Sequence, residues 1–253
     1  MVFVINKFEY EIFGYGDNTI VIELGIGCLW YDWLNVIDIL KKEFKILVYH
    51  RLGYGKSSEP HCERTTRNIA NELHSLLVQL KIDKFIMIGH SFGGLCTIQF
   101  SKMYPEMLKA IMLIDSTSFN WKRLYELDNP ILNEIISIEG MAKNYVKEGK
   151  MIIGNEFGNF EASSNDIKSI VVFPNVPLVV IARDKDVSVE AFVKFDIPRE
   201  EAIRYENVWR ELQIELSELS PQGKLVIADG SDHEVYIDKP DVIISCVSHF
   251  SKI

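Results

Sequence analysis

The chain has 253 residues, of which 47% are hydrophobic and 25% are charged, and this is the composition of a globular protein with room for one large α/β domain. The net charge of −9 argues against a broad nucleic-acid-binding surface. The four scattered cysteines include no Cys-x-x-Cys pair, which argues against a zinc site or a disulfide framework.

The hydropathy pattern predicts a cytoplasmic protein that does not enter a membrane. The N-terminus carries no basic segment followed by a long apolar core, so we expect no signal peptide. No apolar run approaches the length of a membrane span. The cysteines are expected to be reduced thiols, as is usual in the cytosol.

Short apolar strands alternate with amphipathic helices along most of the chain. The patterns predict strands over residues 2–5, 8–13, 19–24, 44–50, 85–89, 110–114, 178–182 and 224–228. Helical spacing of apolar residues predicts helices over residues 30–42, 65–80, 95–104, 199–219 and 240–250. This alternation implies a mostly parallel sheet covered on both faces, and such sheets bind ligands outside the carboxyl ends of their strands.

Residues 117–176 interrupt the alternation and are predicted to form a cap over that edge of the sheet. They contain helical patches around residues 125–138 and 141–147, followed by a Gly/Asn/Ser-rich stretch over residues 154–165. The core domain is then expected to comprise residues 1–116 and 177–253.

The stretch Gly89-His90-Ser91-Phe92-Gly93 stands between a buried-strand pattern and an amphipathic segment. Strand, sharp turn and helix form the context in which Gly-x-Ser-x-Gly is a nucleophile elbow. The glycines let strand and helix approach closely, and the N-terminal N–H groups of the helix face negative charge that develops at the serine. We therefore predict that Ser91 is a catalytic nucleophile.

A serine nucleophile needs a base to accept its proton and an acid to orient that base. Of the six histidines, His233 is the candidate base, because it lies in a flexible loop between the last strand and the last helix. For the acid we prefer Asp186, which follows a buried strand and has the longer reach from its end. Asp184 is the main rival. Asp115, after the preceding strand, is the third candidate, and for it we favour a structural role as a strand-end residue that caps its own loop.

An acyl-transfer site also needs N–H donors for the oxyanion. The backbone N–H of Phe92 comes with the elbow. The second donor is predicted in the loop Gly25-Ile26-Gly27, because glycines let a backbone N–H turn inward. Within that loop we prefer Ile26, and Gly27 is the alternative.

These motifs resemble those of the α/β-hydrolase superfamily, in particular its serine hydrolase, esterase-like branch. Besides the elbow, the resemblance is carried by Arg51-Leu52-Gly53-Tyr54-Gly55-Lys56-Ser57, by Asp184-Lys185-Asp186, and by Gly230-Ser231-Asp232-His233 with Asp238-Lys239-Pro240-Asp241. The resemblance implies an eight-stranded, mostly parallel sheet with an antiparallel second strand, flanking helices and a small helical cap. Two positions depart from the family pattern: Leu24 stands where a histidine often precedes the oxyanion loop, and His50 where an aspartate often precedes the arginine.

The motifs and the resemblance together predict a serine hydrolase that cleaves a small carboxylic ester through an acyl-enzyme. No cofactor and no metal are expected. The partner is expected to be a small-molecule substrate, with no nucleic acid and no membrane, and the oligomeric state is left open. The substrate pocket is expected to include Gly27, His90, Trp121, Leu124 and Tyr125.

Other functions use the same triad and remain open. An aminopeptidase similar to proline iminopeptidases would need acidic groups for the substrate amine, and the cap offers Glu126, Asp128, Glu134 and Glu139. Hydrolysis of a carbon–carbon bond is a further possibility. From another class, a small-molecule receptor or stress-signalling protein could retain the triad. A serine nucleophile argues against the haloalkane dehalogenase and epoxide hydrolase branches.

Overall fold

Eight strands form one sheet in the computed structural model, which describes residues 3–5, 7–169 and 172–250. The strands are β1 (Phe3–Ile5), β2 (Phe8–Phe13), β3 (Thr19–Glu23), β4 (Lys45–Tyr49), β5 (Phe85–His90), β6 (Leu108–Ile114), β7 (Leu178–Arg183) and β8 (Gly223–Ala228). They lie in the order β1-β2-β4-β3-β5-β6-β7-β8. β2 is antiparallel to both of its neighbours, and the remaining pairs are parallel. The predicted sheet is confirmed, although Val2, the start of the first predicted strand, lies outside the described residues.

Helices connect the strands. They are α1 (Leu34–Leu40), α2 (Thr66–Gln79), α3 (Phe92–Met103), α4 (Pro130–Ile136), α5 (Ile138–Lys147), α6 (Met151–Gly158), α7 (Phe160–Ser169), α8 (Lys185–Lys194), α9 (Arg199–Ser217), α10 (Val235–Asp238) and α11 (Pro240–Phe250). Short 3-10 turns occupy Trp30–Trp33, Pro105–Met107 and Trp121–Leu124. Over the described part of the chain, no helix combines the length and the hydropathy needed to cross a bilayer.

The sheet is buried on both faces, which is why its central strands are continuous apolar runs. In β5, Phe85 and Met87 pack into a cluster with α2 and α3, whereas Ile86 and Ile88 pack into a cluster with α1 and α11. Successive side chains of a strand point to opposite faces, so every residue of β5 is buried. This core holds the carboxyl ends of the parallel strands at one edge.

Over its described residues, 117–169 and 172–176, the predicted cap segment contains four helices, α4 to α7. The stretch over residues 154–165, rich in poor helix formers, belongs to α6 and α7. A Cβ atom added to Gly154 would lie 2.6 Å from a methyl group of Val146, so the absence of a side chain lets α6 approach α5. Packing here outweighs the low intrinsic helix propensity of the segment.

The helix α8 is not among the helices predicted from the sequence. Asp184 caps this helix, because its side chain accepts a hydrogen bond from the backbone N–H of Asp186 at 2.9 Å. α8 and α9 share an apolar cluster with the cap segment, in which Val189 and Leu212 pack with Leu124 and Leu132. The helices α8 and α9 therefore lie beside the cap segment.

Candidate active site

The elbow around Ser91 has the strand–turn–helix geometry that its sequence predicts. β5 ends at His90, α3 begins at Phe92, and Ser91 between them has φ 54° and ψ −124°, a strained conformation for a residue with a side chain. A Cβ atom on Gly93 would lie 2.2 Å from the carbonyl oxygen of Glu23. Glycine is therefore required for α3 to start this close to β3.

His233 is held by Asp115, and not by the predicted Asp186. The carboxylate oxygen Oδ2 of Asp115 lies 2.6 Å from Nδ1 of His233. Asp186 is exposed in the first turn of α8, and Asp184 uses its carboxylate to cap that helix and to accept from the N–H of Gly230 at 2.9 Å. The prediction of Asp186 is wrong because the chain turns into α8 directly after β7, which carries this side chain to the surface.

Asp115 is fixed at the carboxyl end of β6. Its φ is 39°, so the chain turns sharply where the strand ends. Its Oδ1 accepts from Nε1 of Trp209 at 2.8 Å, and its Oδ2 accepts from Nη1 of Arg183 at 2.9 Å as well as from His233. Burial alone would raise the pKa of Asp115, but the Arg183 charge and the hydrogen bonds from His233 and Trp209 outweigh it and hold that pKa well below its usual range. The carboxylate is thus ionised at neutral pH.

A cavity of about 460 Å³ opens above Ser91 and His233. Its walls are mostly apolar and come from the elbow, the cap segment, α8 and α9. Nine of the lining residues are aromatic: Phe92, Trp121, Tyr125, Phe157, Phe160, Phe192, Phe195, Tyr205 and Trp209. Of the residues predicted for the pocket, Trp121, Leu124 and Tyr125 line this cavity, and Gly27 and His90 do not.

The Ser91 hydroxyl has no protein hydrogen-bond partner within the described ranges of the chain. Ser91 and His233 nevertheless line the same cavity. In ligand-free enzymes the hydrogen bond between nucleophile and base is often long, and it tightens when the substrate binds. The arrangement therefore leaves the hydroxyl open to an incoming carbonyl carbon.

His90 is buried beside His233, and this explains why it does not reach the cavity. Its Nε2 lies 3.0 Å from the carbonyl oxygen of His233, and the two ring centroids are 4.7 Å apart. Burial, together with repulsion from His233, lowers the pKa of His90 to about 3. The neutral ring donates its Nε2 proton to that carbonyl, since a carbonyl oxygen can only accept. His90 thus supports the backbone of the loop that carries His233.

Arg51 holds the predicted oxyanion loop, residues 25–27, through hydrogen bonds at the start of the loop. This side chain donates to the carbonyl oxygens of Leu24 at 2.5 Å and Gly25 at 3.1 Å, and to the buried carboxylate of Glu23 at 2.8 Å. It also donates twice to Glu156 of α6, at 2.8 and 3.0 Å. Both predicted oxyanion residues, Ile26 and Phe92, line the cavity. One guanidinium therefore joins the cap segment to the loop that contains Ile26.

Arg183, Glu206 and Trp209 are neighbours of the site that were not predicted from the sequence. Arg183 ends an otherwise apolar buried strand. A charged residue at such a position is the feature of the sequence that could have pointed to it. Glu206 and Trp209 lie in α9, whose amphipathic pattern does not distinguish them from other helix residues. No group of three or more His, Cys, Asp or Glu side chains among the described residues is arranged to hold a metal ion.

Known proteins that resemble this chain share the α/β-hydrolase fold. A family model described as alpha/beta hydrolase fold matches residues 18–135. The chain is 25% identical over 231 residues to the uncharacterized protein YqjL of Bacillus subtilis. This match covers 89% of this chain and 80% of that protein. It is 30% identical over 111 residues to the 2-hydroxy-6-oxo-6-(2'-aminophenyl)hexa-2,4-dienoic acid hydrolase of Metapseudomonas resinovorans. This match covers 44% of this chain and 38% of that protein.

The chain spans only 31% to 43% of the length of seven further curated relatives. Among solved structures, a probable hydrolytic enzyme from Pseudomonas aeruginosa superposes with a TM-score of 0.65 at 19% identity, over 99% of this chain and 92% of that one. The family match over residues 18–135, the sheet topology and the superposition show that the chain has the α/β-hydrolase fold, as its motifs predict.

Proposed function

We propose that the protein is a serine hydrolase that cleaves neutral, apolar carboxylic esters. The observation that carries this proposal is the 2.6 Å contact between Asp115 and Nδ1 of His233, at a cavity that Ser91 also lines. A buried carboxylate on one ring nitrogen fixes the tautomer of the imidazole and leaves the other nitrogen free to accept a proton. Strained backbone at both Ser91 and Asp115 supports a site held in one geometry.

In the proposed reaction, the Ser91 hydroxyl attacks the ester carbonyl carbon while His233 takes its proton. The N–H groups of Ile26 and Phe92 stabilise the oxyanion, and Asp115 stabilises the imidazolium. The C–O bond to the alcohol then breaks as His233 returns the proton to the leaving oxygen. Water, activated by the same histidine, hydrolyses the acyl-enzyme and regenerates the Ser91 hydroxyl.

The cavity supports a neutral substrate. Two of its lining residues carry charge, Arg183 and Asp232. The Arg183 guanidinium is already paired with Asp115 and Glu206, so it is not available to a second anion. The remaining surface is dominated by aromatic and aliphatic side chains, which favour apolar acyl and alcohol groups.

Two other hydrolytic functions fit the cavity less well. An aminopeptidase would need carboxylates for the substrate amine, but Glu126, Asp128, Glu134 and Glu139 are all exposed and none lines the cavity. The named substrate of the Metapseudomonas relative is a dienoic acid, which carries a carboxylate at neutral pH. Such a group needs an unpaired cation in the cavity, and Arg183 is paired. We therefore prefer ester cleavage over both.

The test is hydrolysis of a p-nitrophenyl ester series, from acetate to octanoate, by wild type and three variants. Ser91→Ala is expected to lower kcat by about 10⁶-fold and Asp115→Asn by about 10⁴-fold, because each removes a member of the triad. Asp186→Asn is the matched control, since it removes a carboxylate that follows the next strand, and it is expected to leave kcat unchanged. Loss of activity in Asp186→Asn but not in Asp115→Asn would contradict the assignment of the acid.

A fluorophosphonate probe separates this proposal from the alternative of a binding protein. Labelling of Ser91 together with ester turnover supports the esterase. Labelling without turnover of any ester would indicate another hydrolytic substrate. A receptor that only retains the triad would bind its ligand stably and would show no multiple turnover.

A further inference from the structure

Arg183 is a buried charge at the end of β7, and it approaches the Asp115 carboxylate from two directions. The side chain of Arg183 is 7% exposed. Its Nη1 donates to Oδ2 of Asp115 at 2.9 Å, and its backbone N–H donates to Oδ1 at 3.2 Å. The same Nη1 lies 3.4 Å from Nδ1 of His233. Arg183 therefore stands beside both members of the Asp–His pair.

The far side of the guanidinium is held by α9. Nε and Nη2 of Arg183 both donate to the carboxylate of Glu206, which is itself 1% exposed. The guanidinium lies over the ring of Trp209, with Cζ 4.4 Å from the ring centroid. The indole N–H of that same tryptophan donates to Oδ1 of Asp115 at 2.8 Å. Because the fork geometry of an arginine is rigid, these contacts determine where its Nη1 points.

We propose that Arg183 is a positioning residue of the catalytic site, which locks the Asp115 carboxylate in the orientation in which it accepts the Nδ1 proton of His233. The effect of Arg183 on catalysis, as opposed to its contacts, rests on the proposed function. With Arg183 and Trp209 bound, both oxygens of Asp115 are engaged and the carboxylate cannot rotate about its χ2 bond. Glu206 compensates the buried charge of the arginine and holds it in place.

A double-mutant cycle distinguishes positioning from general support of the fold. We expect Arg183→Met to lower kcat for p-nitrophenyl butyrate by about 10- to 100-fold, the loss that follows when a partner that orients a metal-ligating side chain is removed, with KM unchanged. Because Arg183 acts through Asp115, adding Arg183→Met to Asp115→Asn is expected to cause no further loss. Arg183→Lys keeps the charge and is expected to recover part of the activity. Unchanged kcat in Arg183→Met, or additive losses in the double variant, would overturn the inference.

A signal that needs no substrate separates this inference from the proposed function. The proton shared by Nδ1 of His233 and Asp115 gives a downfield proton resonance, which we expect in wild type and expect to be lost in Arg183→Met. If no ester is hydrolysed but this resonance depends on Arg183, the esterase proposal fails and the positioning role stands. If esters are hydrolysed and neither the resonance nor kcat changes in Arg183→Met, the positioning role fails.

Two further variants guard the test against trivial effects. Arg183→Met leaves Glu206 buried without its partner, so the same measurements are made on Arg183→Met combined with Glu206→Gln. This pair removes both charges and keeps the test valid if the single variant does not fold. Arg199→Met is the matched control, because it breaks the exposed Arg199–Glu190 pair between α8 and α9. It is expected to retain the wild-type kcat and the downfield resonance.

Discussion

Replacing His90 with glutamine is expected to reduce the loss of stability that the protein suffers on mild acidification. The pKa of His90 is lowered from 6.5 to about 3, because the ring is buried and lies next to His233. Between those two values the unfolded chain binds a proton at this position and the folded chain does not. The folded state is therefore destabilised as the pH falls below 6.5, by about 1.4 kcal/mol per pH unit for one proton.

At about pH 5 this single residue accounts for about 2 kcal/mol of lost stability, since the pH is then about 1.5 units below the pKa of the unfolded chain. Urea unfolding followed by tryptophan fluorescence, at about pH 7 and about pH 5, measures the difference. In His90→Gln we expect this difference to be smaller by about 2 kcal/mol, whatever the cost of the substitution at neutral pH. The amide of glutamine can still donate a hydrogen bond to the carbonyl of His233.

His61→Gln is the matched control, because it removes an exposed imidazole from a loop. The wild-type pH dependence is expected to persist in that variant. An equal pH dependence in wild type and His90→Gln would refute the reasoning, because it would mean that the folded protein protonates His90 as readily as the unfolded chain does.

Three further outcomes follow from single contacts. Glu156→Gln is expected to lower the free energy of unfolding by about 3 kcal/mol, because two charge-assisted hydrogen bonds from Arg51 are weakened; an unchanged urea midpoint would contradict this. Gly93→Ala places a Cβ atom 2.2 Å from a carbonyl oxygen, so we expect the free energy of unfolding to fall by about 1–3 kcal/mol. Fluorophosphonate labelling of the same samples is expected to be slower. Phe195 lines the cavity yet is 77% exposed, so Phe195→Ser is expected to raise KM for the octanoate ester but not for the acetate, with stability within about 0.5 kcal/mol of wild type.

The sequence alone predicted those features that depend on residues close to one another along the chain. The positions of the strands along the chain, the two-sided burial of β5 and the turn at Ser91 all follow from local patterns of apolar residues and glycines. His233 could also be singled out, because few histidines were available and only one stood in a loop before the last helix. The resemblance to a known family then supplied the antiparallel second strand, which no local pattern predicts.

The identity of the acid beside His233 was decided only by the tertiary structure. Asp115, Asp184 and Asp186 all follow buried strands, so the sequence pattern does not distinguish them. The structure separates them through contacts between residues distant in the chain. α8 begins directly after β7 and carries Asp186 to the surface, while Arg183 and Trp209 surround Asp115 from β7 and α9. A buried carboxylate is stable only where donors from several elements meet, and that meeting point is set by how the elements pack.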